Sequence, residues 1–168
     1  FHYDNVSSDI NEFVEVAGTA GTNLSGWQIV AYNGSNGTSY ITKNLSGSIP
    51  NQASGFGTVS FAISGLQNGG PDGLALVNDK GELVQFLSYE GTFTATNGPA
   101  VGATSTDINV SETTSTPVGY SLQLTGTGSS YNDFTWSPVM ADTSGNTNTN
   151  QSFIGTTQAQ PWFNEFHY

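Results

Sequence analysis

The chain has 168 residues, a net charge of −11 and no cysteine. The length fits one domain with a substantial core, and the missing cysteine excludes disulfides, zinc thiolate sites and thiol nucleophiles. Lys43 and Lys80 are the only lysine or arginine residues, so the acidic surface should repel phosphate backbones and we expect no nucleic-acid partner. The sequence shows no transmembrane stretch, so we expect no membrane insertion.

The composition predicts an all-β fold. Charged residues make up only 9% of the chain, and glycine, serine, threonine and asparagine supply frequent turn signals. Aromatic residues recur within short alternating stretches, which argues against disorder. Few charges and scarce lysine are also typical of exported proteins, so we expect an extracellular or cell-surface location.

Eight short strands precede the tail, separated by turns at the spacing of an antiparallel β-sandwich. In the second strand, Trp27, Ile29 and Ala31 fall on one face and Val30 and Tyr32 on the other. We predict surface loops at 91–117 and 141–151. The predicted strands are 11–17, 24–33, 39–42, 56–64, 74–77, 83–89, 120–124 and 134–136.

The tail, residues 161–168, ends in Phe166-His167-Tyr168, the same tripeptide as Phe1-His2-Tyr3. Overlaid, the two copies give one continuous strand that runs on into Asp4-Asn5. This pattern predicts a first strand split between the two termini. We therefore divide the chain into a sandwich, 1–160, and a C-terminal strand, 161–168, that completes a sandwich.

Several stretches resemble the bacterial lamin tail domain, a secreted family with an immunoglobulin-like β-sandwich. Phe13-Val14-Glu15-Val16 followed by Leu24-Ser25-Gly26-Trp27 is similar to the opening of that domain, and the stretches 72–77, 85–91, 119–124 and 134–136 are similar to later parts in the same order. The resemblance implies an immunoglobulin-like sandwich and a non-catalytic module of exported proteins. The chain departs from the family in two places. Half of the opening strand sits at the C-terminus, and Ser144-Gly145 replaces a Pro-Gly pair.

A sandwich that lacks a strand exposes unpaired backbone groups and an apolar groove, which together invite strand addition. The tail can fold into its own groove, giving a monomer, or enter the next copy, giving a head-to-tail filament. The chain can also be an excerpt of a tandem array. The repeated tripeptide favours the neighbour, so the expected partners are copies of the chain itself. The predicted self-association strand comprises Trp162, Phe163, Asn164, Glu165, Phe166, His167 and Tyr168, with Phe1, His2 and Tyr3.

Acidic residues crowd the N-terminal segment, where Asp4, Asp9 and Glu12 are candidate ligands, and Glu90 follows a predicted strand. Carboxylate oxygens suit Ca²⁺ better than a transition metal. A solvated acidic face explains the same residues, and no cofactor is required.

The sequence disfavours a catalytic function. His2 and His167 are the only histidines, both lie in the tripeptide copies, and no nucleophile-elbow, zinc-protease or phosphate-loop motif occurs. We predict an extracellular structural protein that forms a filament by strand donation. The alternatives are a monomeric adhesive or targeting module and a carbohydrate-binding domain.

Overall fold

A computed structural model describes residues 11–68, 70–113, 115–155 and 159–167. This part of the chain is all-β, and its one helical element is a 3₁₀ turn at Tyr131–Asp133. None of the described helices is long and apolar enough to cross a membrane. The strands are β1 Phe13–Thr19, β2 Gln28–Asn33, β3 Thr38–Asn44, β4 Phe56–Ala62, β5 Asp72–Val77, β6 Leu83–Tyr89, β7 Thr106–Asp107, β8 Tyr120–Gly128, β9 Phe134–Ala141, β10 Gln151–Phe153 and β11 Trp162–His167.

The strands form two sheets, which confirms the predicted β-sandwich. The larger sheet has the order β10-β8-β11-β1-β4, with β9 also paired to β8, and the smaller has the order β3-β2-β5-β6-β7. Most neighbours are antiparallel, including the predicted hairpins β2–β3 and β5–β6. The exceptions are β10 on β8 and β7 on β6, which are parallel pairs.

Two short strands, β7 and β10, were not predicted: β7 lies within the predicted loop 91–117, and β10 begins at the last residue of the predicted loop 141–151. Each has only two or three residues, too few to show an alternating pattern. Each is held in place by backbone pairing to a longer strand rather than by its own sequence. The prediction of eight strands before the tail was therefore two strands short.

The alternation predicted for β2 is confirmed. Trp27, Ile29 and Ala31 point into the main core between the sheets. Val30 and Tyr32 point to the opposite face of the smaller sheet, where they form a second core.

The loop after β6 covers this second core. Phe93, Ala95 and Ala100 are buried against the outer face of the smaller sheet. The Tyr32 hydroxyl accepts a bond from the Ala100 N–H at 3.1 Å and lies 3.2 Å from the Asn97 carbonyl oxygen. The prediction that 91–117 is a surface excursion was therefore wrong for Phe93, Ala95 and Ala100, because apolar residues scattered among polar ones pack together only in the folded chain.

Candidate functional site: the buried C-terminal strand

The tail strand β11 lies inside the larger sheet, between β8 and β1. Along β1, Phe13 pairs with His167, Val14 with Phe166 and Glu15 with Glu165. All six residues of β11 are buried. Removing β11 would leave β1 and β8 without a partner on facing edges, so the strand fills a groove in the sheet that we call the tail groove.

Aromatic side chains anchor the strand in the main core. Phe166 is 1% exposed, and its ring centroid lies 4.7 Å from that of Trp136. Trp162 packs at 6.2 Å from both Phe56 and Phe134. Burial of each such side chain stabilises the fold by about 1.5–3 kcal/mol, so the tail contributes a large share of the core.

A bulge in the β1–β11 pair shifts the register after Glu15, so that Val16 pairs with Phe163 and Asn164 is the additional residue. Next to the bulge, the Phe163 N–H donates to Gln85 Oε1 at 2.9 Å. Gln85 belongs to β6 of the opposite sheet. The tail is therefore bonded to both sheets.

Glu165 is fully buried and accepts three hydrogen bonds. The Thr143 N–H and hydroxyl donate to its carboxylate at 2.9 and 2.6 Å, and the Ser121 hydroxyl donates to Oε1. Charge-assisted bonds of this kind are the strong ones in a dry interior. The carboxylate is thus matched by donors from β8 and from the loop that follows β9.

Glu15, its partner on β1, is also fully buried. Its carboxylate accepts from the Asn164 side chain at 2.9 Å and from the Gly145 N–H at 2.7 Å. Asn164 in turn accepts at Oδ1 from Gln151 Nε2 at 2.6 Å and at its carbonyl from Asn148 Nδ2 at 3.0 Å. A continuous polar network therefore joins the tail to β1, β10 and the loop before β10.

The two carboxyl groups hold protons more readily than free glutamates. Burial raises the pKa of Glu15 well above its usual range, and the neighbouring charge of Glu165 raises it further. Burial also raises the pKa of Glu165, against hydrogen bonds that lower it. Lys43 lies on β3 and Lys80 in the β5–β6 turn, so hydrogen-bond donors rather than lysines stabilise the pair.

Residues 142–150, which we call the cover loop, cross the sheet above the tail. Thr143 bonds to Glu165 on β11 and Gly145 to Glu15 on β1. Ser144, which lies between these two residues, donates a hydrogen bond from its hydroxyl to the Ser60 hydroxyl on β4 at 2.7 Å. The polar loop predicted at 141–151 is thus packed over the buried network, and it must release the tail before the tail can leave.

His167 ends the described strand. It is 2% exposed, its ring centroid lies 6.0 Å from that of Phe13, and its Nδ1 lies 3.5 Å from Glu112 Oε1. The other predicted self-association residues, Phe1, His2, Tyr3 and Tyr168, lie outside the described residues.

The predicted calcium ligands are only partly described. Glu12 is buried, and its carboxylate accepts the N–H groups of Gly65 and Leu66 at 2.6 and 2.8 Å. Glu90 is exposed at the end of β6, and its pKa is raised by partial burial and by Asp107. Asp4 and Asp9 lie outside the described residues. Among the rest, no group of three or more His, Cys, Asp or Glu residues is placed to hold a metal, and calcium binding stays a prediction.

The polar network was not predicted from the sequence. Its signal is a charged residue inside an apolar run, as with Glu15 in Phe-Val-Glu-Val-Ala and Glu165 in Trp-Phe-Asn-Glu-Phe. Such a residue is either exposed on a strand face or buried with partners. The partners Ser121 and Thr143 lie far from both glutamates in the sequence.

No family model, curated protein or solved structure matches this chain. The likeness to the lamin tail family stays a prediction, and function has to be argued from the tail groove itself.

Proposed function

We propose that this chain is an extracellular structural protein, the subunit of a non-covalent filament in which the C-terminal strand of one copy completes the sandwich of the next. The observation that carries the proposal is the position of β11, a strand at one end of the chain that lies in the interior of its sheet. A lamin-tail-like, immunoglobulin-like sandwich with a split first strand fits the same proposal.

The tail is attached by a short tether, residues 154–161. Fully extended, these eight residues span at most about 26 Å, which limits how far β11 can move from β10 of its own chain. The Ala159 N–H donates to Thr19 Oγ1 at 2.9 Å, and this bond fixes the tether beside β1. Withdrawal of β11 from its own groove therefore breaks this hydrogen bond and the contacts that the tail makes with the cover loop.

A neighbour's groove offers β11 the same contacts as its own. The balance between the closed monomer and the filament then depends on tether strain and on protein concentration, because exchange of an identical element adds no new packing. The contact is head-to-tail, so it continues into an open filament unless a ring closes.

A monomeric module is the second candidate, and the seating of β11 beside β1 of its own chain favours it. The filament and the monomer differ in particle mass. For the filament, light scattering over a range of concentrations, with negative-stain microscopy, should show linear particles that grow with concentration. A single species near 17.6 kDa at every concentration would contradict the filament.

Disulfide trapping assigns the groove that each tail occupies. Phe13 and His167 are direct cross-strand partners, a geometry that a disulfide can bridge. The natural chain has no cysteine, so the introduced pair has no competing thiol. In the filament, the double variant F13C/H167C should give a ladder of linked chains on a non-reducing gel. In a closed monomer it should give linked single chains. The single variant H167C, which lacks the partner, should give no ladder in either state.

A further inference from the structure

We propose that Thr143 and Gln123 form an internal ester bond, in which the threonine hydroxyl oxygen replaces the side-chain nitrogen of the glutamine and one ammonia is released. The bond joins the cover loop to β8 beside the seated tail. The inference goes beyond the proposed function, because it needs an occupied tail groove but not a particular chain to occupy it.

The Thr143 hydroxyl is placed as a nucleophile. Its Oγ1 donates to Glu165 Oε2 at 2.6 Å and lies 3.2 Å from Gln123 Oε1. Because a C=O bond is about 1.2 Å long, the amide carbon of Gln123 is no more than about 4.4 Å from the hydroxyl oxygen. Small rotations of the two side chains close this gap to the roughly 3–3.5 Å of a reactive contact.

Glu165 is placed to activate this hydroxyl. A threonine hydroxyl is a weak nucleophile until an adjacent base takes its proton, and the hydrogen bond from Thr143 points that proton at the carboxylate. Burial raises the pKa of Glu165, which makes its carboxylate a stronger base than that of a free glutamate. Since Glu165 lies on β11, the base is present only when a tail occupies the groove.

The carbonyl oxygen of the Gln123 side chain has a donor for the charge that develops on it. The Thr149 N–H donates to Oε1 at 3.3 Å, and such backbone donors stabilise the tetrahedral intermediate of acyl transfer. A second amide, that of Asn148, also has its Oδ1 3.2 Å from the Thr143 hydroxyl. No N–H in the described part of the chain donates to that oxygen, so Gln123 is the better electrophile.

The proton balance of the reaction closes through Ser121. Its hydroxyl donates to Glu165 Oε1 and accepts from Gln123 Nε2 at 2.9 Å. Glu165 takes the proton of the Thr143 hydroxyl, and the Ser121 hydroxyl passes a proton from the same carboxyl group to the departing nitrogen. The Cδ–Nε2 bond of Gln123 breaks as the ester bond forms, and the nitrogen leaves as ammonia without an oxidant or any other reactant.

The ester has a consequence for the tail. The cover loop must lift before a tail can leave, and a covalent bond from Thr143 to β8 holds the loop down. Gln123 and Glu165 are fully buried, so water has little access to hydrolyse the bond. A tail seated under a linked cover loop is therefore expected to leave the groove much more slowly.

Mass spectrometry of the purified full-length chain tests the inference. The denatured protein should be lighter by one ammonia than the mass calculated from its sequence, and peptide mapping should show Gln123 and Thr143 joined. Thr143→Val keeps the side-chain shape and removes the hydroxyl, so this variant should have its full calculated mass. The matched control is Thr149→Val, which makes the same change at an exposed side chain of the same loop and should still lose ammonia.

Glu165→Gln keeps the size of the side chain and removes the base. Most chains of this variant should keep their full calculated mass, because loss of a general base slows a reaction by about 100-fold or more. The mass of the natural chain decides the question even where a variant does not fold.

A natural chain of full calculated mass, or an ammonia loss that persists in Thr143→Val, would overturn the inference, and so would a link from Thr143 to Asn148. The F13C/H167C ladder tests the filament separately. An ester in a chain that stays monomeric would support the inference and reject the filament. Filaments of chains with their full calculated mass would do the reverse.

Discussion

Replacing Phe166 by alanine is expected to lower the free energy of unfolding by about 3–5 kcal/mol, the range for removing a fully buried aromatic ring. The ring is 1% exposed and packs against Trp136, so its loss leaves a cavity where β11 meets the main core. Denaturant unfolding followed by tryptophan fluorescence measures the change. Because domains are stable by only about 5–15 kcal/mol, the variant should be marginally folded and should not assemble.

Ile154→Ala is the matched control. Ile154 begins the tether and is 54% exposed, so its truncation should change stability by less than about 0.5 kcal/mol. Synthetic peptide of residues 160–168, which carries the natural phenylalanine, should restore the stability of the Phe166→Ala chain in a concentration-dependent way. Equal unfolding midpoints for the two variants would mean that the tail does not hold the sandwich together.

Local patterns were enough to predict the longer strands and the two faces of β2. The alternation of Trp27, Ile29 and Ala31 reports burial directly, since a strand has a period of two residues. The aromatic tail was predicted as a strand for a different reason, because its last three residues repeat the first three and because aromatic residues favour strands.

The polar network could not be predicted in this way. Glu15 and Glu165 meet across 150 residues, and their burial depends on donors such as Thr143 and Gly145 that only the folded cover loop supplies. A charged residue in a strand is ordinarily exposed, so residue type alone predicts that Glu15 and Glu165 face solvent. The sequence also leaves open which chain's groove the tail enters, because this depends on tether strain and concentration rather than on the contacts of the strand.

Stability is expected to rise as the pH falls toward about 4.3, the pKa of an unfolded glutamate. The pKa values of Glu15 and Glu165 are raised in the folded chain, whereas an unfolded glutamate titrates near a pKa of about 4.3. Between these values the folded state binds more protons than the unfolded state, so the free energy of unfolding decreases with pH. The stabilisation is fully present below the unfolded pKa and is lost as the pH rises through the folded values. Each fully coupled proton contributes a slope of about 1.4 kcal/mol per pH unit.

Denaturant unfolding midpoints at several pH values, measured on dilute protein, test this expectation. Glu15→Gln keeps the side-chain size but does not titrate, so the variant should show a smaller pH slope. It should also be less stable, because Asn164 and Gly145 donate to different carboxylate oxygens of Glu15, and the amide replaces one of these oxygens with an NH2 group that cannot accept. Asp133, whose pKa is lowered by hydrogen bonds from Ser129 and Ser130, is ionised in both states above pH 5 and does not oppose the effect. A midpoint that increases with pH, or an equal slope in the Glu15→Gln chain, would show that the buried carboxyl pair does not take up protons on folding.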